Sequence, residues 1–71
     1  MKYAVLYEKA AADYGAYVPD LPGCVATGKT RKETERRIRE AIGMHIESLR
    51  KHGDPIPLAT TAAEYINIPA D

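Results

Sequence analysis

The chain has no tryptophan, no phenylalanine and a single cysteine. Five tyrosines therefore supply all the aromatic surface, and each ring brings a hydroxyl that needs a partner wherever it is buried. One thiol, Cys24, excludes an internal disulfide and any metal site built from several cysteines, which points to a reducing compartment. Surplus charge of either sign is missing too, with ten Lys and Arg against ten Asp and Glu. A balanced total gives no whole-chain attraction to nucleic acid or to membrane surfaces. It also gives little electrostatic protection against self-association. Long apolar runs are absent. The opening MKYAVLYEKA is broken by Glu8 and Lys9, too early for a signal-peptide core. No stretch approaches the ~18 residues that span a bilayer. A cytoplasmic protein that needs no membrane is expected.

What is present belongs to a folded domain. A 45% hydrophobic and 28% charged composition excludes intrinsic disorder. With 71 residues the expectation is one domain over residues 1–71, burying roughly 60% of its unfolded surface. That allows one core but makes a deep, enclosed active site hard to build.

Residues 2–9, KYAVLYEK, are rich in Tyr, Val and Leu without Gly or Pro and predict a strand. Residues 14–19, YGAYVP, predict a second. Asp20 to Gly23 is a turn, in which Pro22 fixes φ and Gly23 permits positive φ. Residues 24–29, CVATGK, predict a third strand, completing an antiparallel meander. Thr30 followed by Glu33 is a capping box, each side chain satisfying a backbone donor near the other. Thr34, Ile38, Ala41, Ile42, His45, Ile46 and Leu49 then recur at helical spacing and form one mainly apolar face. The other face carries the pairs Glu33–Arg37, Glu35–Arg39 and Glu47–Lys51. Gly53, with Pro55 behind it, stops the helix. Tyr65 to Ile68 predicts a short closing strand ended by Pro69. The order is β-β-β-α-β, an α+β fold with one four-stranded sheet and one long helix on one face.

One helix covers only one sheet face, yet most strands carry apolar side chains on both. Tyr3, Val5 and Tyr7 oppose Ala4 and Leu6, and Tyr14, Ala16 and Val18 oppose Tyr17. An antiparallel sheet with one wet face alternates more cleanly. Another protein chain covering the second face or an edge accounts for the pattern, and a homodimer or homotetramer is expected.

Catalytic and metal motifs are weak. His45 and His52 lack the second His or Cys one helical turn away that a zinc helix supplies, and neither a metal nor another cofactor is expected. Cys24 near Asp20 lacks any spacing that selects a nucleophile with its base, and a lone Cys at a strand start is ordinarily a small buried hydrophobe. Gly23 to Thr30 satisfies the phosphate-loop pattern G-x-x-x-x-G-K-T. However, CVAT predicts a strand rather than a loop, and the chain is far shorter than a phosphate-loop domain. The helix start is basic, with Arg31, Lys32, Arg36, Arg37 and Arg39, but no base-stacking aromatics accompany it. The neutral total thus hides a division. Residues 1–28 carry two basic against three acidic groups, residues 29–51 eight against four, and residues 52–71 none against three. A basic helix lies between two acidic flanks and offers a charged face for recognition by another chain.

The segment Pro19-Asp20-Leu21-Pro22-Gly23-Cys24, followed by Gly28-Lys29-Thr30 and a charged amphipathic helix, resembles the HicB-like antitoxins. The exit Asp54-Pro55-Ile56-Pro57 and the apolar end match as well, so the resemblance covers nearly the whole chain. It implies a partial ribonuclease-H-like fold whose last strand lies parallel beside the first. It implies a protein that binds and sterically neutralises a small HicA-type mRNA-cleaving toxin and is not itself an enzyme. Many relatives continue into a DNA-binding module, and none is expected within these residues, so no direct DNA binding is expected of this chain alone. The residues expected to meet the toxin are Tyr17, Asp20, Leu21, Pro22, Gly23 and Cys24, an aromatic beside a rigid projecting turn. Two other readings compete: an orphan homo-oligomeric binding module, and a hydrolase relic using Cys24, Asp20 or Glu8.

Overall fold

In the computed structural model, which describes residues 1–70, Leu6–Lys9 (β1), Tyr14–Tyr17 (β2) and Val25–Gly28 (β3) form an antiparallel sheet in the order β1-β2-β3. Ala10 closes the first connection by donating to the Asp13 carbonyl at 2.8 Å. Tyr7 pairs with Ala16 and Ala16 with Ala26, which sets one row across the sheet. Leu6, Tyr17 and Val25 form the neighbouring row on the opposite face.

The long helix, Arg31–Lys51 (α1), packs over β2 and β3. Its apolar stripe does what its period requires. Ile38 and Thr34 are buried, and Ala41, Ile42 and Ile46 pack against a core of Ala16, Val18, Leu21, Cys24 and Ile38. Tyr3, Val5 and Tyr7 close that core from β1 and the residues before it. The buried Thr34 hydroxyl donates to the Thr30 carbonyl at 2.7 Å, so its polarity is satisfied inside the helix. Gly28 lets the helix start come close, because a Cβ there would lie 2.7 Å from the Thr34 Oγ1 and 2.9 Å from its backbone nitrogen. At the far end His52 caps the helix and Gly53 turns the chain with φ +70°. The His52 Nδ1 lies 2.8 Å from the Ser48 carbonyl and donates to it.

The structure corrects four expectations. The sheet has three strands, not four, for Tyr65–Ile68 joins no ladder. Alternating apolar residues are not enough to make a strand where no ladder partner engages the backbone. The β1 ladder starts at Leu6 rather than Lys2, because β2 stops at Tyr17: Val18 leaves the ladder and donates to Cys24 across the turn at 3.1 Å. In the capping box the Thr30 hydroxyl accepts from the Glu33 amide at 3.0 Å, but Glu33 reaches back to the Lys29 amide, one residue earlier than expected. Of the three helix ion pairs, Glu33–Arg37 and Glu35–Arg39 close at 3.5 and 3.6 Å, and Glu47–Lys51 is not among those formed by the described residues.

Candidate functional site

The turn between β2 and β3 builds itself from its own backbone. Leu21 donates to the Val18 carbonyl and Cys24 to the Leu21 carbonyl, each at 3.0 Å. Gly23 sits at φ +82°, a conformation that a side chain would strain. Two of its apolar side chains face inward: Leu21 is 0% exposed and Cys24 3%. Burial pushes the Cys24 thiol above its ordinary value, which suits a packing residue rather than a nucleophile. Pro22 and Gly23 form the exposed tip.

Asp20 is half-buried and fully engaged. Its Oδ2 accepts from the Thr61 and Thr60 amides at 3.0 and 3.1 Å, and its Oδ1 accepts from the Thr61 and Thr60 hydroxyls at 2.8 and 3.1 Å. These bonds favour the ionised carboxylate. The Thr61 amide and then its hydroxyl hold the Asp20 carboxyl below its usual range against the opposing effect of burial, with Thr60 adding less. The clamp ties the chain after the helix to the turn. A second tie lies nearby, where the Tyr3 hydroxyl donates to the Pro57 carbonyl at 2.5 Å.

Tyr17 projects from the face opposite the helix and is 38% exposed, flanked in register by Leu6 and Val25. Of the six residues expected at the partner surface, Tyr17, Pro22 and Gly23 are accessible there. Leu21 and Cys24 shape the turn from inside, and Asp20 holds the tail. The sequence reading missed Leu6 and Val25 as members of the Tyr17 row, although strand register would have found them. It also missed Thr60 and Thr61, whose bonds to Asp20 span some forty residues and leave no local signal.

The pattern that mimics a phosphate loop falls on β3 and the helix cap. Its residues Val25–Gly28 are ladder-paired to β2. The basic helix start is partly occupied: Arg37 donates to the Thr27 carbonyl at 3.0 Å, and the Arg31 guanidinium lies over the Tyr7 ring at 3.7 Å. Arg37 and then Arg36 also help hold the Glu33 carboxyl below its ordinary value, behind the leading effect of the Lys29 amide. Among the described residues, no three His, Cys, Asp or Glu side chains are placed to hold a metal ion. No described helix is long and apolar enough to cross a membrane.

A family model described as the HicB_like antitoxin of bacterial toxin-antitoxin system matches residues 3–70. A UPF0150 protein of Thermoplasma acidophilum is 50% identical over 58 residues, covering 80% of this chain and 84% of that protein. An uncharacterised 14.9 kDa protein from the rep-hol intergenic region of Haemophilus phage HP1 is 36% identical over 69 residues. That alignment covers 97% of this chain but 52% of the phage protein, so the chain spans about half of that relative's length. Among solved structures, a HicA3 and HicB3 toxin-antitoxin complex matches with a TM-score of 0.69 and 29% identity, covering 87% of this chain and 70% of the matched one.

Proposed function

The chain belongs to the HicB-like antitoxin family, and from that premise we propose that it binds a small HicA-type toxin and blocks it by covering its catalytic surface. The observation that carries this reading is the match to a chain of a HicA3 and HicB3 complex over 87% of this protein. The surface chemistry supports it. The Tyr17 row offers an aromatic anchor beside the rigid Pro22–Gly23 tip, and a pre-organised contact loses little entropy on docking. The protein acts by occlusion and not as an enzyme. Its one thiol is buried and its turn carboxylate is committed to the tail. The partial ribonuclease-H-like arrangement belongs to the same reading. Support comes from the order of the elements and from Ala63, Glu64 and Tyr65, which face Val5–Glu8 across a concavity at the β1 edge.

Co-expression with a HicA-type toxin from an adjacent gene tests the proposal. Rescue of growth and co-purification are expected, and Tyr17→Ala should weaken binding by about tenfold, the ~1.4 kcal/mol of a moderate anchor. A toxin that stays active and fails to co-purify overturns it. A second reading, a self-associating binding module without a toxin, is favoured by the exposed apolar tail.

A further inference from the structure

We propose that Asp20 is a positioning residue for toxin capture: by clamping Thr60 and Thr61 it holds the tail, residues 62–70, as the second wall of a docking concavity whose first wall is Leu6 and Tyr17. This role rests on the toxin-binding reading above and places the tail on the same surface. The surroundings of Asp20 dictate its residue type. Four donors, two backbone amides and two hydroxyls, converge on its two oxygens at 2.8 to 3.1 Å. A side chain met by donors alone must offer acceptors alone, and a short carboxylate does so. The turn itself does not use that carboxylate, because Val18, Leu21 and Cys24 close it through their backbones. The carboxylate therefore serves the chain that follows the helix.

One concavity of about 420 Å³ shows what that service achieves. Leu6 and Tyr17 line it from the sheet, and Ala63, Glu64 and Tyr65 line it from the tail. A toxin group seated against Tyr17 thus meets the tail as well. Among the described residues, no hydrogen bond to the rest of the chain holds the tail beyond Thr61. Thr61 stands four residues before Tyr65. With the clamp open, the nearest hydrogen-bonded point is Pro57, held by the Tyr3 hydroxyl eight residues before Tyr65. Effective concentration falls roughly as the −3/2 power of tether length, so doubling the tether lowers it about threefold.

Asp20 thus strengthens docking by pre-organising a wall and not by touching the toxin. Charge suits the same occupant. Arg31 lies over Tyr7 of its own chain. Glu8 and Glu64 also line the concavity, and neither forms an ion pair among the described residues. A toxin that cleaves RNA presents cations to a polyanion, and carboxylates at the rim complement them.

Titration of the full chain against the HicA-type toxin from an adjacent gene tests the proposal, with the dissociation constant as the readout. Asp20→Asn keeps the shape but turns an N–H group toward donors, so it should weaken binding about threefold. Thr60→Val combined with Thr61→Val removes both hydroxyl donors without touching the turn, and should shift the constant the same way. Both variants should keep the wild-type helix signal in far-ultraviolet circular dichroism. A cycle then separates positioning from structure. In a chain that already carries Glu64→Ala and Tyr65→Ala, Asp20→Asn should change binding by less than about 1.5-fold, because the wall it positions is gone. A residue that only supports the fold would keep its effect in that background. Equal losses in the two backgrounds overturn the proposal, since Asp20 then meets the toxin itself or acts through the turn. Unchanged binding in both clamp variants overturns it as well, while a weaker Tyr17→Ala chain leaves the toxin reading standing. A wild type that does not bind the toxin overturns that reading and this role together.

Discussion

The turn at residues 18–24 and the tail at residues 62–70 hold similar apolar material and treat it in opposite ways. In the turn, Val18, Leu21 and Cys24 are buried and three backbone hydrogen bonds fix the path. In the tail, Tyr65, Ile66 and Ile68 are exposed, and among the described residues the last hydrogen bonds to the rest of the chain are those at Thr61. Apolar content is not what separates them. The turn closes on its own carbonyls and drops its side chains between sheet and helix. Among the described residues the tail makes no such closure beyond Thr61.

The strongest way to break this contrast is Leu21→Ala. Truncating a fully buried leucine costs about 2–5 kcal/mol. A domain of this length has only about 4–10 kcal/mol in all, so the variant should be close to unfolded at room temperature. Urea unfolding measures it, and a loss below about 1 kcal/mol would remove the turn from the core. Gly23→Ala should cost less, about 1 kcal/mol. An added Cβ there meets nothing within 4 Å, so only the backbone conformation at φ +82° is strained. The urea midpoint should fall with an unchanged slope.

The turn was legible in the sequence because its signals are local. Pro22 and Gly23 fix the dihedrals, and the helix announces itself by Thr30, Glu33 and the spacing from Thr34 to Leu49. The direction of each strand's side chains followed from alternation, which placed Tyr17 opposite Ala16 as found. The tail was misread because alternation speaks of side chains and not of hydrogen-bond partners. Tyr-Ile-Asn-Ile looks like a strand whether or not an edge receives it. The bonds that Asp20 makes are hidden for a related reason. Nothing near it in sequence shows that Thr60 and Thr61 fold back to take its carboxylate.

Asp20 is where the two regions join, so it sharpens the comparison. In Asp20→Ala the Thr60 and Thr61 amides lose their acceptor and should exchange with solvent at nearly unprotected rates. The Leu21 amide, held by Val18 within the turn, should keep its protection. Protection that persists at Thr61 would show that the tail has another anchor. Acid should act in the same way. Because the carboxyl is held below its ordinary value of about 3.9 by bonds to its ionised form, the clamp is fully present above that value. It is lost as pH falls through the lowered one. The amide shifts of Thr60 and Thr61 should therefore titrate together, below the range of the exposed carboxylates.

The smallest expected effect lies in the tail itself. Ile66 is 69% exposed, so Ile66→Ala opens no enclosed cavity and should change the stability of a dilute monomer by less than about 0.5 kcal/mol. The identical truncation at the buried Ile38 falls in the range of about 2–5 kcal/mol. The contrast becomes sharper with concentration. If copies of this chain associate through Ile66, mass action stabilises the folded chain and the wild-type melting temperature rises as protein is added. The variant should rise less, and the two curves should diverge from a common value at low concentration. Parallel curves would mean that the tail is unpartnered by its own kind. A gap already present at the lowest concentration would mean that Ile66 packs within its own chain, and the difference between turn and tail would then be one of degree.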